Sequence, residues 1–397
     1  MEIMLCPAAD VAQSRSSPSR SSPSRSSPRP SPRSQTVLQS AVSPAAPSFR
    51  EAFLRHYDRI RHECRSLGRR GVVCLVVDAA GVVCSHRLVA RRDGISAAIV
   101  GRHPAVELAV GEDAGISLRH LAIVVHPTRS TRPGDEPRFR VLDLRTATAM
   151  TDELGRRLES LEAEGPVFVQ CESRALLLFP TTDADLPWPD DPEQGWACIP
   201  ERVYFDEAPA RPDRWVRRRD PRQHRALRAR RPTPRGSDVG AVAAFRRDDV
   251  TAVQTCSAPA LAQPRLLSEG EPAVGALRLR SPGDDTTIEL GERVLALGVL
   301  LGRYDRCDSH GLPVLDNPRV SRVHLLLVQI GQAVYAIDTA STNGVVGVAG
   351  DGVAADGVAG DGVAGDARDA QRGRTFALQA GRDLLLPGQI RLSWKPR

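Results

Sequence analysis

Three short runs in the last third of the chain carry more polar chemistry than a buried strand needs. "LGR" runs from 301 to 303, "SRVH" from Ser321 to His324, and "DTASTNG" from 338 to 344. Arg303 offers a planar, always charged fork that suits a phosphate. Ser321 adds a hydroxyl donor, and Arg322 a second positive charge. Asn343 both donates and accepts, which a peptide backbone needs and a phosphate alone does not. Together these types fit a site for a phosphorylated peptide. Singly, each has a duller reading: a surface arginine, an ordinary Asn-Gly turn, a satisfied core histidine.

Each run lies at the end of an apolar stretch. "LALGVL" leads into Gly302-Arg303, "HLLLV" leaves from Ser321–His324, and "AVYAID" leads into 341–344. In an antiparallel sandwich the turns gather at the two ends of the sheets, so residues far apart in sequence can converge there. The ordered set G-R, then S-x-x-H, then S-x-N-G resembles the signature of the forkhead-associated (FHA) domain, a phosphothreonine-binding β-sandwich. The resemblance covers about 272–397. It implies that Arg303 and Ser321 bind the phosphate with Arg322 beside them. Thr342 and Asn343 would line the peptide, Asn343 clamping its backbone. Gly302 would allow a close turn, Gly344 would support the site, and His324 would brace the loops without catalytic work. A phosphothreonine brings about −1.5 to −2 charges, and two or three charge-assisted hydrogen bonds at about 1.5–3 kcal/mol each suit a micromolar reader.

The same order recurs in the first half. "IVGRH" holds Gly101-Arg102, "ISLRHLAIVV" holds Ser117-x-x-His120, and "FRVLDLRTATA" stands where "YAIDTASTNG" stood. Residues 71–185 thus resemble a second, degenerate FHA domain. Arg102, Ser117 and His120 persist, but Thr148-Ala149 take the Asn-Gly positions, so the clamp is expected to be absent and this half to act as a scaffold or a phosphate-independent contact surface.

Around these halves, residues 1–47 form a Ser/Pro/Arg tail repeating "SSPSR", with nothing to bury and expected to be disordered. At 48–70 the apolar positions Phe49, Phe53, Leu54, Tyr57, Ile60, Cys64 and Leu67 predict an amphipathic helix, capped by Ser48 and Glu51 and stopped at Gly68. Leu154, Leu158 and Leu161 predict another over 151–164. Residues 186–270, rich in Pro and Arg, read as a flexible linker. Over 347–366 four "GVAGD"-type pentads predict a Gly-rich loop within the C-terminal sandwich, expected at 271–397. The fold class expected is all-β: two sandwiches joined by a linker, with a disordered tail and a few short helices.

Of 54 basic residues only Lys395 is a lysine, a bias that reads as a GC-rich bacterial genome. The charge is segregated. Residues 211–235 net +9 and residues 1–50 net +4, so the rest of a chain totalling +6 nets −7. Lacking interleaved aromatics or a DNA-reading motif, the basic run is not expected to bind nucleic acid. The eight cysteines are scattered, with no zinc spacing. No metal or cofactor is expected, nor a membrane partner, since no run reaches the ~20 apolar residues of a span. No signal-peptide pattern opens the chain, so a cytoplasmic location is expected. No nucleotide loop or catalytic constellation stands out, so an enzyme is not expected. The reading is a signalling adaptor that binds a threonine-phosphorylated partner in a Ser/Thr kinase pathway. The alternative is a phosphate-independent interaction or scaffold protein.

Overall fold

The structure, a computed structural model, describes residues 47–111, 113–128, 136–182, 188–206, 250–257, 266–267, 270–349 and 375–397. The expected tail (but for residue 47), the basic run at 211–235 and residues 350–366 of the pentads lie outside the described residues. Among the described residues no helix is long and apolar enough to cross a membrane.

The amphipathic stretch forms two helices, α1 (Phe49–Arg55) and α2 (Tyr57–Leu67), which part at His56. Ser48 and Glu51 make a reciprocal capping box, and Gly68 closes α2 in the left-handed conformation, φ 57°. Ten strands follow: β1 (Gly71–Val77), β2 (Val82–Val89), β3 (Ser96–Gly101), β4 (Leu108–Ala109), β5 (Leu121–Val125), β6 (Phe139–Asp143), β7 (Met150–Thr151), β8 (Arg157–Ala163), β9 (Val167–Cys171) and β10 (Arg174–Thr181). They hydrogen-bond in the order β2-β1-β10-β9-β7-β8-β6-β5-β3-β4. The sheet folds over at β7–β8 and encloses a core that includes Val72, Leu121, Phe139, Val169 and Leu178.

Two expectations are corrected here. Residues 151–164 are not a helix but the turn and strand of the β7–β8 hairpin. Asp152 Oδ1 accepts from the backbone N–H of Leu154 and Arg156, Gly155 sits at φ 74°, and Leu154 is 68% exposed. An i, i+4, i+7 leucine spacing is thereby split between a turn and a two-faced strand, because β8 is paired along both edges. Nor are residues 186–270 a plain linker. They supply α3 (Pro192–Cys198), β11 (Arg202–Asp206) and β12 (Thr251–Ser257), with β12 antiparallel to β8 and β11 parallel to β12. Helices α1–α3 cover the outer face of β1, β9 and β10 through Phe53, Tyr57, Ile60, Phe168, Phe179 and Trp188.

The C-terminal strands are β13 (Ala273–Ser281), β14 (Asp284–Gly291), β15 (Val299–Leu301), β16 (Leu325–Ile330), β17 (Ala333–Asp338), β18 (Val346–Ala349), β19 (Thr375–Ala377), β20 (Arg382–Leu386) and β21 (Ile390–Pro396), with α4 (Glu292–Leu297) before β15. One sheet runs β14-β13-β21-β20-β18 and the other β15-β16-β17-β19. Laid end to end, this is the order of the first half without β4, and it encloses a second core. The first pentad residues, 347–349, belong to β18 rather than to a loop.

The two halves pack on each other by matching faces. Ile99, Ala122, Val124 and Leu142 meet Leu300, Leu326, Val328 and Ile337 in one buried cluster. Strand registers make these counterparts: Ile99 pairs with Ala122 as Leu300 pairs with Leu326, and Ala122 with Leu142 as Leu326 with Ile337. The sandwiches therefore form a pseudo-symmetric pair within one chain.

Candidate functional site

The end of β15, the loop 316–324 and the loop 338–344 are tied together by hydrogen bonds that run through the predicted residues. Gly302 comes first. A Cβ there would lie 2.2 Å from the carbonyl oxygen of Arg322, so only glycine permits this approach. Its N–H donates to Ser309 Oγ at 3.0 Å, and that buried hydroxyl donates back to Gly302 O at 3.2 Å. Arg303 N donates to Ser321 O, and Arg303 Nε to Val320 O at 2.6 Å. The guanidinium is thereby anchored through Nε, and the residue is exposed.

Ser321 is nearly buried, at 9% exposure. Its N–H donates to His324 Nδ1 at 3.0 Å, and its Oγ accepts from Thr342 N at 3.1 Å. The His324 ring is fully buried, and desolvation pushes its pKa down to about 4. It is neutral at physiological pH, with Nδ1 as acceptor and the proton on Nε2. Asn343 Nδ2 donates to Arg319 O at 2.7 Å, joining the second and third loops again. Asp338 shapes the third loop: its carboxylate accepts from Ser341 N at 2.7 Å and Ser341 Oγ at 3.1 Å. Ser341 Oγ in turn accepts from Gly344 N, and Gly344 takes φ 70°.

Arg303, Ser321, Thr342 and Asn343 are thus brought together at one rim. Arg303, Arg322, Thr342 and Asn343 are exposed there, with Arg322 next in chain to the buried serine. Sequence reasoning did not single out Asp338, Ser309 or Arg319. The D-x-x-S spacing of Asp338 and Ser341, a side-chain-to-backbone turn, was the available signal for the first.

The first half repeats the main bonds of this scaffold, beginning with Arg102 N to Ser117 O. Arg102 Nε donates to Ile116 O, Ser117 N to His120 Nδ1 at 3.1 Å, and His120 is likewise held low, to about 4, by desolvation. Asp143 shapes the Thr146 turn as Asp338 shapes that of Ser341. The tip of the loop differs from the expected simple loss. Thr148 Oγ1 donates to Gly115 O at 2.9 Å, the counterpart of the bond from Asn343 to Arg319. The latch between loops survives, while the carboxamide that could also face a peptide is gone. Asp113 stands where the C-terminal half has Asn317, and it is paired with Ser173 and Arg174.

Residues 299–347 match the family model described as FHA domain. Among solved structures, the chain is similar to the FHA domain of CT664 from Chlamydia trachomatis, at 18% identity over 28% of this chain and 96% of that one, TM-score 0.22. It is similar to FHA-1 of Rv1747 from Mycobacterium tuberculosis, at 16% identity over 28% and 98%, TM-score 0.21. It is also similar to Mycobacterium tuberculosis EmbR, solved with a low-affinity phosphopeptide, at 16% identity over 30% and 24%, TM-score 0.21. No curated protein matches.

Proposed function

We propose, for a chain that carries a forkhead-associated domain over 299–347, that this domain reads phosphothreonine on a partner protein and that the chain is a non-catalytic adaptor. The observation that carries the reading is the set of bonds that draw Arg303, Ser321 and Asn343 to one rim while leaving the right groups free. Arg303 uses only Nε on Val320 O, so both terminal nitrogens can fork onto phosphate oxygens. Ser321 Oγ accepts from Thr342 N, so its hydrogen remains to donate to the phosphate. Asn343 uses one N–H on Arg319 O, which leaves its carbonyl and second N–H for the peptide backbone on either side of the phosphothreonine. Arg322 adds charge from the exposed side. His324, buried and neutral, holds the serine backbone and takes no part in chemistry. The partner is then a protein phosphorylated by a Ser/Thr kinase in the same compartment, expected to be the cytoplasm.

The N-terminal half, with Thr148 for Asn343 and Asp113 for Asn317, is assigned no phosphopeptide. The test is retention of the whole chain on an oriented phosphothreonine peptide library against the same library phosphatase-treated. Binding to the first alone, weakened about 100-fold by Arg303→Ala, is the expected result. Equal retention on both libraries overturns the reading and favours phosphate-independent docking.

A further inference from the structure

The site residues lie in the C-terminal half, but one of the groups that fixes their backbone comes from the other half. Arg119 is 8% exposed and sits in the first half's own Ser117–His120 motif. Its side chain does not turn to its own rim. It crosses the pseudo-symmetric interface, where Nε donates to Thr339 O and Nη2 to Ala340 O. These two consecutive carbonyls bracket Ala340, a non-glycine residue at φ 60°. The left-handed conformation is disfavoured for an alanine and persists where its surroundings over-determine it. Thr339 is already held by its own half, its N–H donating to His324 O and its Oγ1 to Val323 O. The next residue is held from across the interface, and Ser341, Thr342 and Asn343 follow it directly.

The arrangement is one-sided. The position equivalent to Arg119 in the second half is Val323, which has no donor to return. The counterpart of Ala340 is Arg145, also left-handed at φ 56°; among the described residues no fork from the second half holds it, and its own side chain crosses the joint to Gly298 O at 3.3 Å and Asp308 at 3.5 Å. So the half with the altered tip supplies the fork, and the half with the complete rim receives it.

We propose that Arg119 is a positioning residue for the phosphopeptide site, and that the N-terminal sandwich serves to set the 340–344 backbone from behind. The inference rests on the reading of the rim given above. It separates two parts of that rim. Arg303 is fixed by the carbonyls of Val320 and Ser321, which Arg119 does not touch, whereas Asn343 rides on the segment that Arg119 holds. Loss of the fork therefore weakens the grip on the peptide backbone more than the grip on the phosphate.

The experiment titrates the whole chain with a phosphothreonine peptide and with free O-phosphothreonine, the latter followed by NMR. The proteins are wild type, Arg303→Ala, Arg119→Ala and Arg119→Lys. Arg119→Lys keeps the charge and most of the packing but loses the two-pronged geometry, so it answers the question even if Arg119→Ala does not fold. Both Arg119 variants are expected to bind the peptide about tenfold more weakly while binding O-phosphothreonine as wild type does. Arg303→Ala is expected to lose both ligands. If wild type and the Arg119 variants bind the peptide equally while Arg303→Ala does not, the positioning role is overturned and the reader stands. The same follows if the variants lose both ligands in proportion. If wild type binds neither ligand, both readings fall.

Discussion

Arg303 and Arg102 make the same bond to the same relative carbonyl, yet only Arg303 stands beside a carboxamide. The difference between the halves is carried by single side chains on a common backbone: Asn343 against Thr148, and Asn317 against Asp113. The motif residues were legible because each pairs a chemical type with a strand end, and three in order are hard to assemble by chance. Arg119 was not. In sequence it is an arginine next to Arg322's counterpart, Leu118, and nothing local says that it leaves its own sandwich. The two structural histidines yield a pH prediction. His324 and His120 are both depressed by desolvation from the usual value to about 4, so both are neutral in the fold and charged in the unfolded chain below pH 6.5. Their contribution is fully present above 6.5 and is lost as pH falls to about 4, at about 1.4 kcal/mol per pH unit for each. Asp143 opposes this. Burial raises its carboxyl to about 6, so its stabilising effect is present in acid and lost as pH rises through 6. His126, also buried, is pushed down to about 3 by desolvation, so three strongly depressed histidines outweigh the one strongly raised carboxylate. Urea unfolding of the whole chain is therefore expected to weaken steadily from pH 6.5 to 4, and His324→Asn, which keeps an acceptor for Ser321 N, is expected to flatten the slope by one proton. A midpoint that does not move over this range contradicts the assignment.

At the scale of elements, the two sandwiches were readable where strands alternate, as β13 does in "AVGALRLRS" with every second residue buried. They were misread where an element is covered on both sides. Residues 151–164 looked helical because β8 is buried along most of its length between β6 and β12, so no period-two signal survives. β12 itself lies beyond a long Arg/Pro-rich stretch, and five of its seven residues pair with a strand almost a hundred positions away. The turn chemistry offers a paired test. Gly101 and Gly302 make the same close approach: a Cβ added at either would meet a carbonyl oxygen at 2.2 Å, that of Leu118 or of Arg322. Alanine at either position is expected to lower stability by about 1–3 kcal/mol. Only Gly302→Ala should also weaken phosphothreonine-peptide binding, because only it displaces a complete rim. Equal loss of binding from Gly101→Ala, measured by calorimetry beside the unfolding midpoints, would contradict this division of labour.

Among the described residues, the strands from Gly71 onward make two copies of one plan joined face to face. The sequence held a sign of that joint. β3, β5 and β16 read as nearly continuous apolar runs, "SAAIVG", "LAIVV" and "LLLVQI", which is how strands covered on both faces read. Two independent sandwiches on a flexible linker would leave one face of each polar. Because Leu326, Val328 and Ile337 are shared with Ala122, Val124 and Leu142 in one buried cluster, the halves are expected to unfold together. Trp394 reports on the second core, and Trp188 with Trp196 on the helical layer of the first half. Single-tryptophan variants are expected to give coincident denaturant transitions, and Leu326→Asp, which places a carboxylate in the joint, is expected to separate them. Distinct transitions in the otherwise unaltered chain would mean that the joint does not couple the halves.

The central claim is that Arg303, Ser321 and Asn343 act as one pocket for phosphothreonine. Its most direct measurement is a calorimetric titration of the whole chain with a library-selected phosphothreonine peptide and with the same peptide bearing unmodified threonine. The account predicts micromolar binding of the first, about −8 kcal/mol, and no measurable heat from the second. Equal affinity for the two peptides would contradict it.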